Sequence, residues 1–171
     1  IRQVLALYLR ESFETAPTML VPDASFMIDR RMGVDGHPLE IQALFYGALR
    51  LALQYVADSA ENRRLIALGT ERFGRLCEYL REFYWLDLPR LCEIHRFPTE
   101  EFGGAGVNWL NIQPESVPGW VNEWLPDEAG YLVGNLGPGR MDFRFFSLGN
   151  LLAVLFGVLT DQQAARIMAL I

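Results

Sequence analysis

Apolar residues recur at helical spacing over most of this chain, and the pattern fails in two places. Val4, Leu5, Tyr8 and Leu9 share one side of an amphipathic helix predicted over residues 2–14, which Pro17 breaks. Residues 19–21 predict a short extended piece. Ile41, Leu44, Phe45, Ala48, Leu49 and Ala52 predict a long helix over residues 39–56. Pro38 lies near its first helical position and Glu40 in its first turn. Residues 58–61 predict a turn, and the next helix runs to about Phe83. It turns Leu65, Leu68, Phe73, Leu76 and Leu80 inward, with Arg63, Arg64, Arg72 and Arg75 on a solvated face. Residues 89–94 predict a short helical piece. Residues 148–159 are almost wholly apolar and predict a buried helix, interrupted by Asn150. Thr160 to Gln163 then reads as a capping box opening the last helix.

The first break is the polar stretch of residues 25–42. The second is the Gly- and Pro-rich segment of residues 97–139, which holds Trp109, Trp120 and Trp124 and predicts one short strand at residues 131–135. A long irregular segment with this aromatic content, set among helices, points to a functional loop.

The chain has 171 residues, 51% hydrophobic and 21% charged, enough for one domain with a sizeable core. A formal net charge of −6 argues against a nucleic-acid binder, which needs Lys and Arg to neutralise phosphate. No apolar run is long enough to span a bilayer, so no membrane partner is expected. Cys77 and Cys92 fit neither a disulfide framework nor a zinc motif, which suits reduced thiols in the cytoplasm. His37 and His95 build no metal set, and no Gly motif cradles a phosphate, so neither metal nor cofactor is expected. Both ends fall within helical patterns. Residues 1–171 therefore read as a single partial domain, an interior piece of a longer protein truncated at both ends.

The candidate chemistry lies in the first break. Asp29 follows Phe26, Met27 and Ile28, and a carboxylate with apolar neighbours is costly to desolvate unless it is paired or reactive. Burial there would favour the neutral acid, whereas Arg30 and Arg31 would favour the charged one. A turn signal at residues 33–36 precedes the helix start. The stretch delivers Asp29, His37, Glu40 and Gln42 to one place. A structural ion pair or a helix cap accounts for the same residues. Glu100, Glu101 and Asn108 on the Gly-rich segment, and Asp142 with Arg144 at spacing i, i+2, offer further hydrogen-bonding groups. For the last two a structural ion pair is the competing reading.

Residues 27–33 (Met-Ile-Asp-Arg-Arg-Met-Gly), residues 37–46 (His-Pro-Leu-Glu-Ile-Gln-Ala-Leu-Phe-Tyr), Tyr-Trp-Leu-Asp-Leu at 84–88, Thr-Glu-Glu at 99–101, and Gly134-Asn135 through Met-Asp-Phe-Arg-Phe-Phe at 141–146 resemble, in order, the alkaline/neutral invertases of glycoside hydrolase family 100. The resemblance implies an all-α fold, part of an (α/α)6 barrel whose long loops form the site. It implies inverting hydrolysis of sucrose to glucose and fructose. Such a mechanism needs two carboxyl groups about 6.5–9.5 Å apart, to admit a water. Asp29 falls on the family's general acid. The general base is a Glu in a Trp-Pro-Glu-Tyr-Tyr-type segment that does not occur in this chain, so the piece alone is expected to be inactive. Substrate contacts are expected from His37, Glu40, Gln42, Glu100, Asn108, Asp142 and Arg144. Trp109-Leu110 departs from the family's commoner Lys-Phe pair, which affects the loop's detailed contacts. Sucrose is the expected partner, in the cytoplasm, and a homo-oligomer of the full-length enzyme is compatible with the reading. The alternatives are a related barrel glycosidase acting on another α-glucoside, and a sugar-binding or scaffold protein without catalysis.

Overall fold

The computed structural model describes residues 1–10, 17–27, 30–91, 117–137 and 140–171. Among them, helices α1 (Arg2–Tyr8), α2 (Leu39–Tyr55), α3 (Arg63–Tyr79), α4 (Gly119–Trp124), α5 (Ser147–Leu155) and α6 (Asp161–Met168) surround strands β1 (Val21–Met27), β2 (Arg30–Pro38), β3 (Trp85–Asp87), β4 (Gly130–Gly137) and β5 (Arg140–Phe145). One wider π-helical turn, Leu80–Tyr84, joins α3 to β3.

Helix α2 is the hub. Leu39, Ala43, Phe45, Tyr46, Leu49 and Ala52 are buried on it, spread round more than one face because α1, α3 and α5 all pack against it. Tyr8 meets Phe45 edge-on at 5.3 Å, and Tyr46 stacks on Phe73 at 4.4 Å. Where α5 crosses the start of α2, Gly149 removes the side chain that would collide: a Cβ there would lie 2.9 Å from Leu39 Cγ and 3.2 Å from Glu40 Cγ.

The all-α expectation requires correction. Helices dominate, but five antiparallel strands form a sheet whose hub is β4. Its first three residues pair with β3, from Gly130↔Asp87 to Leu132↔Trp85. Its later residues pair with β2 (His37↔Leu136, Pro38↔Asn135) and with β5 (Asn135↔Asp142, Leu136↔Met141). Strand β2 also pairs with β1 from Val21↔Gly36 to Met27↔Arg30, with irregularities between. The turn expected at residues 33–36 is therefore part of a strand. Gly36 makes this approach workable. Its φ of +119° is open to glycine, and a Cβ would lie 2.6 Å from the Leu136 carbonyl oxygen and 2.8 Å from Gly137 Cα.

Three further expectations are corrected. The strand expected at residues 131–135 extends over Gly130–Gly137. The apolar helix expected over residues 148–159 ends at Leu155, and its face is not wholly buried: Leu148, Leu151 and Leu155 are exposed, Leu155 to 73%. It stops because Gly157, at φ +70°, closes a Schellman motif. Val158 N–H donates to the Ala153 carbonyl and Gly157 N–H to that of Val154. Arg72, assigned to a solvated face, is only 7% exposed, and its Nε donates to the Pro17 carbonyl at 3.0 Å. The capping box at α6 forms as expected, with Gln163 N–H donating to Thr160 Oγ1 at 3.2 Å and Gln163 Oε1 accepting from Thr160 N–H. Asp87 ties α6 to β3: its Oδ2 accepts from both Trp85 Nε1 and Arg166 Nη1 at 2.9 Å. Among the described residues no helix is long and apolar enough to cross a membrane.

Candidate active site

Strands β1 and β2 form a hairpin, and Ile28 and Asp29 are the two residues that join them in sequence. Asp29, like Glu100, Glu101, Asn108 and Trp109, lies outside the described residues. The surroundings of the hairpin's two ends are defined.

The segment leading into β1 makes no ladder of its own at residues 17–20, and side chains take up the Pro17 carbonyl and both backbone groups of Met19. Gln42, fully buried on α2, grips a single residue twice. Met19 N–H donates to Gln42 Oε1 at 2.7 Å, and Gln42 Nε2 donates to the Met19 carbonyl at 2.8 Å. The carboxamide thus does what a neighbouring strand would do. Two residues earlier, Arg72 on α3 holds the Pro17 carbonyl. The substrate-contact expectation for Gln42 meets a side chain whose oxygen and nitrogen both engage backbone.

The other end, where β2 passes into α2, is held from below. The Tyr84 hydroxyl donates to the His37 carbonyl. Tyr84 is wholly buried, and that burial, followed by its neighbour Tyr79, pushes its pKa well above 10, so the phenol stays a donor. The His37 imidazole is half-buried. Desolvation lowers its pKa from 6.5, and a hydrogen bond to the Met19 backbone pulls in the opposite direction. His37 Nδ1 is buried without a hydrogen-bond partner. Glu40 lies buried in the first turn of α2, where the helix N-terminus favours a negative charge.

Asp142 and Arg144 lie on β5, across β4 from the hairpin. The register aligns Pro38, Asn135 and Asp142 in one row. Arg144 grips Asp142 with two nitrogens: Nε donates to Oδ1 at 2.8 Å and to Oδ2 at 3.1 Å, and Nη2 also donates to Oδ2. The guanidinium lies 5.2 Å over the Phe146 ring. Donating to Asp142 raises the Arg144 pKa further. The competing ion-pair reading describes this geometry. Nearby, Trp124 packs edge-on against Tyr131 at 5.3 Å and tilted against Phe145 at 6.0 Å.

Sequence reasoning assigned no role to Tyr84 or Arg72, although each anchors one leg of the hairpin. Tyr84 stands in a block quoted for its resemblance, and that was the available signal. Arg72 carried none, since charge alone suggested exposure.

Residues 1–171 match the family Alkaline and neutral invertase, glycoside hydrolase family 100, and the chain belongs to it. It is 48% identical over 171 residues to neutral/alkaline invertase 1, mitochondrial, of Oryza sativa subsp. japonica, covering all of this chain and 27% of that protein. Against alkaline/neutral invertase C, mitochondrial, of Arabidopsis thaliana the identity is 46%, over 26% of that protein. Against cytosolic invertase 1 of Oryza sativa it is 45% over 170 residues, 99% of this chain and 30% of that protein. The chain thus spans between a quarter and a third of the length of these relatives.

Proposed function

We propose that the whole protein carrying this chain hydrolyses sucrose to glucose and fructose with inversion at the glucosyl carbon, and that Asp29 is its general acid. Family membership over all 171 residues carries this reading. The anchored hairpin supports it, because a group that must meet a glycosidic oxygen benefits from being joined to restrained strands. Asp29 delivers a proton to the bridging oxygen as the bond to the glucosyl carbon breaks. A Glu supplied from outside these residues takes a proton from the attacking water. A free Asp titrates near 3.9, so the role requires surroundings that hold the carboxyl protonated. The full fold is an (α/α)6 barrel to which residues 1–171 contribute as one partial domain, with sugar contacts from His37, Glu40, Glu100 and Asn108. The same segment occurs in relatives named as cytosolic, mitochondrial and chloroplastic, so the cytoplasmic expectation does not follow from the family.

Asp29→Asn in the whole protein tests the reading. It is expected to lower kcat on sucrose by about 10²–10⁴-fold, the usual worth of general acid catalysis. Glucosyl fluoride, whose leaving group needs little protonation, is expected to lose much less. Proton NMR of fresh product from sucrose is expected to show β-glucose first. Near-normal sucrose turnover, or equal losses on both substrates, would remove Asp29 from that role, and α-glucose first would remove inversion. Faster hydrolysis of trehalose or maltose than of sucrose would favour another α-glucoside as substrate.

A further inference from the structure

Gln42 grips the backbone of Met19 from a different element. A carboxamide in the first turn of α2, with no exposure, satisfies both backbone groups of a residue 23 positions earlier, at 2.7 and 2.8 Å. Buried polar side chains usually bond where their own element passes. This one reaches out of α2 to a segment that has no ladder partner and leads directly into β1. Met19 therefore ties the incoming leg of the hairpin to α2. With Arg72 on the Pro17 carbonyl and Tyr84 on the His37 carbonyl, helices α2 and α3 and the π-helical turn fix both legs.

We infer that Gln42 is a positioning residue for the hairpin and, through it, for Asp29, and makes no contact with sugar. The inference rests on the reading of Asp29 as general acid. Without the carboxamide, the Met19 N–H and carbonyl lose their partners, and the incoming leg is free to shift against α2. A displacement of about 1 Å at a catalytic group is enough to cost about 10²-fold in rate.

The experiment uses the whole protein, with Gln42→Ala and Gln42→Glu each alone and combined with Asp29→Asn. Rates are taken per folded molecule, on sucrose and on glucosyl fluoride. Gln42→Ala is expected to lower kcat on sucrose by about 10²-fold with KM nearly unchanged, and to cost glucosyl fluoride far less. Added to Asp29→Asn, it is expected to cost almost nothing more, because both changes remove the same proton delivery. Gln42→Glu keeps the shape and can still accept from Met19 N–H, but its carboxylate faces the Met19 carbonyl. It is expected to show the same pattern, and it decides the matter if Gln42→Ala does not fold. A raised KM with kcat preserved would make Gln42 a sugar contact and overturn the inference. So would losses that add fully to those of Asp29→Asn. If Asp29→Asn alone keeps its sucrose turnover, the general-acid reading has failed, and that result is visible without any change at Gln42.

Discussion

Two buried carboxamides hold two stretches of chain by the same device, with different consequences. Asn150 on α5 accepts from Leu132 N–H at 2.8 Å and donates to the Leu132 carbonyl at 2.9 Å. Gln42 on α2 does the same to Met19. Leu132, however, lies within β4, paired in register with Trp85 of β3 and followed directly by the pairing with β5. Asn150 also bonds back to the Phe146 carbonyl at 3.0 Å, on the first turn of its own helix. It stitches a helix to a sheet that is already built. Met19 precedes the ladder, and its backbone is held by side chains. An amide against an existing sheet adds to the stability of the core, whereas an amide in place of a sheet decides where a segment lies.

Asn150→Leu makes this difference measurable and is expected to have the largest effect on stability. It leaves the Leu132 N–H and carbonyl buried without partners, at about 1–3 kcal/mol for each group. Calorimetry of the whole protein is expected to show a midpoint lowered by several degrees. Gln42→Ala is expected to lower it less and to speed amide hydrogen exchange mainly at residues 17–27. If Asn150→Leu loosened only β4 and left the midpoint unchanged, the two amides would be equivalent and the contrast would fail.

Gly36→Ala sharpens the contrast from the hairpin's side. The left-handed backbone costs a side-chain-bearing residue about 1–3 kcal/mol, and the new Cβ collides with the backbone of β4 at Leu136 and Gly137. Expected are a lower midpoint than for Gln42→Ala and faster exchange on β2, with β3 unchanged. Unaltered protection on β2 would show that the strand does not need its contact with β4.

What was legible in the sequence is what local pattern can carry. The apolar spacing of α2 and the Thr160–Gln163 box are written within one or two turns of chain, and both appear where expected. Residues 33–36 of β2 carry a turn signal because Gly33 and Gly36 are turn residues, yet they lie within a strand. Its partner at Asn135 and Leu136 lies about a hundred residues away, and no local window contains that pairing. Gln42 was noticed as a polar residue on an apolar helix, but a sugar hydroxyl and a backbone amide demand the same side chain. The exposed leucines of α5 show the limit of composition: apolar residues say a face is suited to burial, not that these residues bury it. The Gly157 stop signal stood in the sequence, and C-cap reasoning would have ended the helix correctly.

His37 gives the contrast a pH axis with a smaller effect. Its folded-state pKa is lowered by burial from 6.5. On acidification the unfolded chain takes up a proton near 6.5 that the folded chain resists, so the unfolded state gains. The contribution is complete above 6.5 and declines as pH falls toward the lowered folded value. Melting midpoints measured from neutral to mildly acidic pH are expected to fall faster for the natural chain than for His37→Gln. A natural chain that gained stability relative to the variant on acidification would reverse the sign.

The smallest effect is expected at Asp142 and Arg144, where ion pair and sugar contact still compete. The Arg144 side chain is 51% exposed, and exposed pairs contribute about 0–1 kcal/mol, less in salt. Bidentate geometry and the Phe146 ring beneath place this pair toward the upper end of that range. Arg144→Leu keeps much of the apolar stem and removes the charge. If the guanidinium serves Asp142, the midpoint drops slightly in low salt, the drop shrinks in high salt, and KM for sucrose stays where it was. If it serves the sugar, stability hardly moves, while KM rises by about tenfold for each 1.4 kcal/mol of lost binding. The geometry favours the first outcome, because both carboxylate oxygens of Asp142 already receive Arg144 nitrogens. Asp142→Asn supplies the control. Under the ion-pair reading it reproduces the salt-dependent loss of Arg144→Leu, and the double variant adds nothing further. A rise in KM for Arg144→Leu alone would make Arg144 part of the substrate site, on the same sheet as the hairpin.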